Sequence, residues 1–121
     1  MRDLFNPLRG EIWRVNFEPV AGSETGKARP AVVVGDERLG RLQVRIVVPV
    51  TGWNERYQQH PWMTELVPDA ASGLSKLSAA DALQIRTVSL LRFEARLGRL
   101  PAEVVDEIAG SIALCVRAPQ R

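Results

Sequence analysis

Glu11-Ile12-Trp13-Arg14-Val15-Asn16-Phe17-Glu18 alternates, Gly22-Ser23-Glu24-Thr25-Gly26-Lys27-Ala28-Arg29-Pro30 is polar and glycine-rich, and Ala31-Val32-Val33-Val34 is continuously apolar. The alternation predicts a strand with Trp13, Val15 and Phe17 inward and Arg14 and Asn16 outward. The apolar run predicts a second, central strand. The segment between them is too polar for a core and too rich in glycine for a helix, so it reads as a loop joining two strands. Pro30 stiffens the re-entry into the second strand. One carboxylate, Glu24, and two cations, Lys27 and Arg29, crowd this loop. Opposite charges held on a rigid sheet suit the binding or attack of a phosphate.

Outward from this unit, Gly35–Gly40 reads as a charged turn. Arg41–Thr51 is the longest strand candidate, centred on Ile46-Val47-Val48, with Pro49 marking a bulge or an end. Thr51–Gln59 is a second polar loop, and His60–Val67 a further strand closed by Pro68-Asp69. A turn at Ala70–Gly73 precedes short apolar pieces around Leu77 and Leu83–Val88. The period then changes. Pro101 suits a first helical position and Glu103 a first turn. Val104, Ile108, Ile112 and Cys115 form one stripe, which predicts a helix over 101–116 with Cys115 buried and Gly110 permitting close approach to a sheet. Residues 1–8 read as an arm. The whole is a single domain over 1–121, mainly β: a small, strongly curved barrel of antiparallel sheet carrying a C-terminal helix.

With 121 residues, 45% of them apolar and 25% charged, the chain has ordinary soluble composition. Its net charge of +2 announces no nucleic-acid binder by itself; the distribution matters more, since Lys27 and Lys76 are the only lysines among 16 basic residues. Arginine forks match phosphate geometry, and a genome rich in G and C would give the same bias. Neither a secretory apolar region nor a stretch long enough to span a bilayer occurs, which predicts a cytoplasmic protein with no membrane role. The single histidine, His60, excludes histidine-dependent metal clusters and two-histidine ribonuclease chemistry. Cys115, expected in the core, is a poor nucleophile. Gly22-x3-Gly26-Lys27 leads into a strand and lacks the helix N-terminus of a phosphate loop. No cofactor and no metal are expected. A metal-free chemistry remains: cleavage of RNA by its own 2′-hydroxyl, helped by fixed donors set against the phosphorane. Arg29, Thr51 and Glu24 supply a guanidinium, a hydroxyl and a carboxylate, provided their two loops face each other.

These residues resemble the MazF/PemK-type toxins of bacterial toxin–antitoxin pairs. The matching pieces are Arg9-Gly10-Glu11-Ile12-Trp13 with Phe17 and Pro19, Gly22 through Val33, Val48-Pro49-Val50-Thr51, Gln84-Ile85-Arg86-Thr87-Val88 and Gly98-Arg99-Leu100. They run in the family's order from Arg9 to Val116. The resemblance implies an SH3-like, CcdB-like barrel and a metal-independent, sequence-specific endoribonuclease. It implies cleavage of single-stranded mRNA to 2′,3′-cyclic phosphate and 5′-hydroxyl ends, stopping translation and growth. Arg29 and Thr51 become the catalytic pair, with Glu24 as a third group. A homodimer with a shared RNA groove, blocked by the tail of a cognate MazE-like antitoxin, is implied as well. In the family an aspartate often precedes the glutamine; here the residues before Gln84 are Ala82-Leu83.

Ser23, Lys27, Trp53, Gln84, Arg86 and Thr87 are the RNA-binding candidates. Trp53 is the best placed of the aromatics around the second loop to stack a base, while Trp62 in an alternating strand reads as core. Arg29 could instead pair with Glu24 across a turn, and Gln84 and Arg86 either touch RNA or brace the barrel. A CcdB-like toxin that binds DNA gyrase is the alternative function. The Arg29–Thr51 pair favours the enzyme.

Overall fold

The computed structural model describes residues 5–18 and 28–119. Strand β1 (Glu11–Asn16) pairs on one edge with β2 (Ala28–Val33), from Ile12↔Val32 to Asn16↔Ala28. On its other edge runs β7 (Phe93–Arg99). Trp13 and Val15 are buried on one face and join Ala31, Val33 and Val47 in a core that Phe17 flanks. Ile12 is equally buried on the opposite face, in a second core with Val32, Val48 and Leu66. The strand that alternates in sequence is thus covered on both sides at its start.

β3 (Val44–Gly52) lies along the free edge of β2, paired from Val33↔Val47 to Ala31↔Pro49. Its far edge takes β6 (Arg86–Ser89) against Val44–Val47 and then β5 (Ser78–Asp81) against Val50–Gly52. Pro49 neither ends nor bulges the strand, contrary to the sequence expectation. It falls where β3 changes partners on that far edge, so its missing N–H interrupts neither of those two ladders. β4 (Met63–Leu66) pairs with β5 and completes the path β4-β5-β3-β2-β1-β7, with β6 also on β3. This antiparallel architecture is the mainly β class read from the sequence, with seven strands and a ladder that stays open between β4 and β7.

A turn at residues 70–74 bridges the gap. Arg99 N–H donates to the Ala71 carbonyl at 2.8 Å. Gly73 has φ +71°, and a methyl on it would lie 2.0 Å from the Leu97 oxygen. A methyl on Gly98 would lie 2.3 Å from the Ala71 and Ser72 oxygens. Two glycines therefore let this turn rest directly on β7. The sequence reading had no strand at β7, because Phe93 and Gly98 are its only fully buried positions and no alternation marks it.

Helix α1 (Ala102–Cys115) buries Val105 and Ile108, with Val104 and Ile112 packed beside them. Pro101 is the cap residue rather than the first helical one. Cys115 is exposed, not buried. The last turn overhangs the sheet, leaving Leu114 and Val116 exposed as well. Among the described residues, nothing outside the helix's own backbone would lie within 4 Å of a methyl on Gly110, so it mediates no close packing. The helix closes with Ala118 N–H on the Ala113 carbonyl and Arg117 N–H on that of Leu114, with Arg117 left-handed at φ 54°. That double bond is a Schellman ending, normally given to glycine. Among the described residues no helix is long and apolar enough to cross a membrane.

Candidate active site

Arg29 lies inside β2 rather than in the preceding loop, paired with Val15 of β1. The β2–β3 ladder stops at Ala31↔Pro49; the next bond across it would come from Pro30, which has no N–H to donate. Continuing the register by two residues on each strand sets Arg29 opposite Thr51. Both then share a face of the sheet with Ala31 and Pro49. The Arg29 side chain is exposed and Thr51 half-buried. Among the described residues no carboxylate forms an ion pair with Arg29.

Two clefts meet at this pair. One, of about 490 Å³, is lined by Arg14, Arg29, Thr51, Gly52, Ser75 and Lys76 among others. The other, of about 450 Å³, is lined by Phe17, Glu18, Arg29, Pro49, Thr51, Tyr57, Asp81, Gln84 and Arg86. Arg29 and Thr51 form the ridge between them. In the second cleft the Arg86 guanidinium lies 5.3 Å from the centre of the Phe17 ring, within cation–π range. Arg86 pairs with Val47 of β3, on the same face as Thr51. Gln84 ends a 3₁₀ turn (Ala82–Gln84) that Asp81 caps by accepting from Leu83 N–H at 3.1 Å. Asp81 thus brings a carboxylate into the cleft three residues before Gln84, one position beyond the Ala82-Leu83 pair named in the sequence.

Trp53 and Thr87 line neither cleft. The Trp53 indole N–H donates to Glu55 Oε2 at 3.0 Å, and its ring meets Tyr57 edge-on at 5.8 Å. Of the aromatics around the second loop, Tyr57 lines the cleft, and His60 and then Trp62 continue the row, stacked on each other at 4.6 Å. Trp62 is half-buried rather than core. Thr87 pairs with Ile46 and so points to the opposite face from Arg86. Ser23, Glu24 and Lys27 lie outside the described residues.

Several arginines brace this frame. Arg92 donates to the Asn16 carbonyl at 3.3 Å and to that of Glu18, fixing the chain beside Phe17. Arg45 is buried and donates to the Pro7, Leu42 and Val44 carbonyls. Glu11 is fully buried: Oε1 accepts from Leu8 N–H and Trp13 Nε1, and Oε2 lies 3.0 Å from Arg96 Nε.

The family described as PemK-like, MazF-like toxin of type II toxin–antitoxin system matches residues 8–116. The chain belongs to this family. Endoribonuclease MazF9 of Mycobacterium tuberculosis is 33% identical over 112 residues, spanning 88% of this chain and 92% of the relative. Endoribonuclease PemK of Escherichia coli is 29% identical over 107 residues, covering 87% and 78%. A MazE–MazF structure from Deinococcus radiodurans superposes with a TM-score of 0.72 at 27% identity, over 94% of this chain and 98% of that one. The protein is therefore a member of a family of endoribonuclease toxins, and its Arg29–Thr51 ridge is the candidate for their chemistry.

Proposed function

We propose that the protein cuts single-stranded RNA at the Arg29–Thr51 ridge, without a metal, by assisting the substrate's attack on itself. The 2′-hydroxyl oxygen attacks the adjacent phosphorus and gives its proton to a base. The bond from phosphorus to the 5′-oxygen breaks, and that oxygen takes up a proton. A 2′,3′-cyclic phosphate and a 5′-hydroxyl remain. The phosphorane between them carries extra negative charge. Arg29 pairs with its non-bridging oxygens and Thr51 donates its hydroxyl to them; one fixed donor of this kind contributes about 10²–10³-fold in rate. Glu24 is the third catalytic candidate, and Ser23 and Lys27 are RNA-binding candidates from the same loop. Gln84 and Arg86 hold the nucleotide in the second cleft, where polar edges and the Tyr57 ring suit a splayed base.

What carries the reading is the juxtaposition of an exposed guanidinium and a hydroxyl, on opposing strands, at the meeting of two clefts. The cognate partner is a MazE-like antitoxin, supported by the likeness to the MazE–MazF structure. The working form is a cytoplasmic homodimer, because one small sheet offers limited wall for several nucleotides and a two-fold groove doubles it. Bulk RNA digested with the purified protein, followed by mapping of the new 5′ ends, tests the function. Ends clustered at one short sequence with the wild type and absent with Arg29→Ala are expected. Intact RNA together with gyrase poisoning would overturn the reading in favour of a CcdB-like toxin.

A further inference from the structure

The two clefts differ in charge. The second mixes Arg86 with Glu18 and Asp81. The first has Arg14, Arg29 and Lys76 on its walls and no carboxylate among its described lining residues. Three cations with no described acidic neighbour make that cleft an anion site by elementary electrostatics. Its volume, about 490 Å³, falls within the range of about 300–1,000 Å³ typical of ligand pockets.

Lys76 is held in position from both sides. Upstream, the 70–74 turn is locked by Ser72, whose N–H donates to Asp69 Oδ1 at 2.7 Å and whose Oγ accepts from Leu74 N–H at 3.2 Å. Downstream, Ser78 Oγ donates to the Lys76 carbonyl at 2.8 Å, and Trp53 N–H to that of Leu77 at 3.1 Å. The side chain then reaches across Gly52, the residue after Thr51. A methyl on Gly52 would lie 3.4 Å from Lys76 Nζ and 3.5 Å from its Cε. Glycine at 52 thus leaves the ammonium room beside the ridge without a neighbouring side chain in its way.

We propose that Lys76, with Arg14 opposite, binds the RNA phosphate next to the scissile one, on the far side of the ridge from Gln84 and Arg86. This rests on the endoribonuclease reading of the same site. Lys76 is a positioning residue: it fixes the register of the strand over Arg29 and Thr51 and touches no reacting atom. Its compact charge carries no base information, so it contributes equally whatever the sequence.

The test uses the full-length protein and a single-stranded RNA with a 2′-deoxy nucleotide at the mapped cleavage site, which cannot be cut. Binding is followed by anisotropy from low to high salt for wild type, Lys76→Gln and Lys76→Arg, with thermal melts to confirm folding. Lys76→Gln should weaken binding about three- to tenfold at low salt and reduce the slope of log affinity against log salt by about 0.7. With cleavable RNA the same variant should raise KM, hold kcat and leave the cleavage sequence unchanged, and Lys76→Arg should restore most of the affinity. A folded Lys76→Gln protein with wild-type affinity and slope overturns the inference while leaving the endoribonuclease reading intact. A loss of kcat at constant KM also overturns it, by assigning Lys76 to the transition state. A wild type that neither binds nor cuts RNA removes both together.

Discussion

Arg29 and Thr51 meet just past the point where Pro30 ends a ladder. Pro30 has no N–H to extend the β2–β3 pairing past Ala31↔Pro49, and the Arg29 and Thr51 side chains just beyond project at the mouth of two clefts. Neither side chain belongs to a buried core. Arg29→Ala and Thr51→Ala should therefore each lower the cleavage rate about 10²–10³-fold with melting temperatures close to wild type. Paired rate and melting measurements check this; an unfolded Arg29→Ala protein would make the arginine a structural partner instead. Glu11 behaves in the opposite way. Its carboxylate is fully buried between Trp13 Nε1 and Arg96 Nε, so Glu11→Ala strands a buried indole N–H and a half-exposed arginine. A cost of about 3–5 kcal/mol is expected for breaking such a buried charged network, read from denaturant unfolding.

At the scale of elements, the pattern of apolar residues carried much of the fold. Alternation in Trp13 and Val15 and continuity in Ala31–Val33 located β1 and β2, and the stripe through Val104 and Ile108 located α1. Pairing decides the rest, and pairing is not local. β7 exists because β1 has a free edge; Pro49 is tolerated mid-strand because β3 changes partners beside it. Cys115 points in the direction of Ile108, but the helix end overhangs the sheet, which no periodicity reveals. The site followed the same rule. Arg29, Thr51, Gln84 and Arg86 were legible from their motifs, whereas Asp81, Tyr57 and Lys76 reach the clefts only through tertiary packing. Arg45, Arg92 and Arg96 turn out to brace the frame, a role that composition cannot separate from RNA contact. The 70–74 turn gives a test at this scale. Gly98→Ala would drive a methyl against two carbonyl oxygens at 2.3 Å. An overpacking cost of about 1–3 kcal/mol is expected, seen as a lowered melting temperature, with RNA affinity falling too because the displaced turn leads directly into the segment that holds Lys76.

Across the whole molecule, a net charge of +2 understates how the protein meets a polyanion. Arg14, Arg29 and Lys76 converge on one cleft and Arg86 on the next, and a two-fold pair would double them along one groove. RNA affinity should thus fall more steeply with salt than the net charge implies, with each phosphate contact adding about 0.7 to the slope for single strands. Sedimentation should find a dimer at micromolar concentration, and a monomer that cleaves at full rate would contradict the shared groove. In the proposed mechanism the substrate's own 2′-hydroxyl is the nucleophile, and Arg29 and Thr51 supply the help. The most direct measurement is the chemistry of the ends made from single-stranded RNA by the purified protein in excess chelator. Undiminished cleavage that leaves 2′,3′-cyclic phosphate and 5′-hydroxyl ends is expected; 5′-phosphate ends, or activity abolished by EDTA and restored by a divalent metal, would contradict this mechanism.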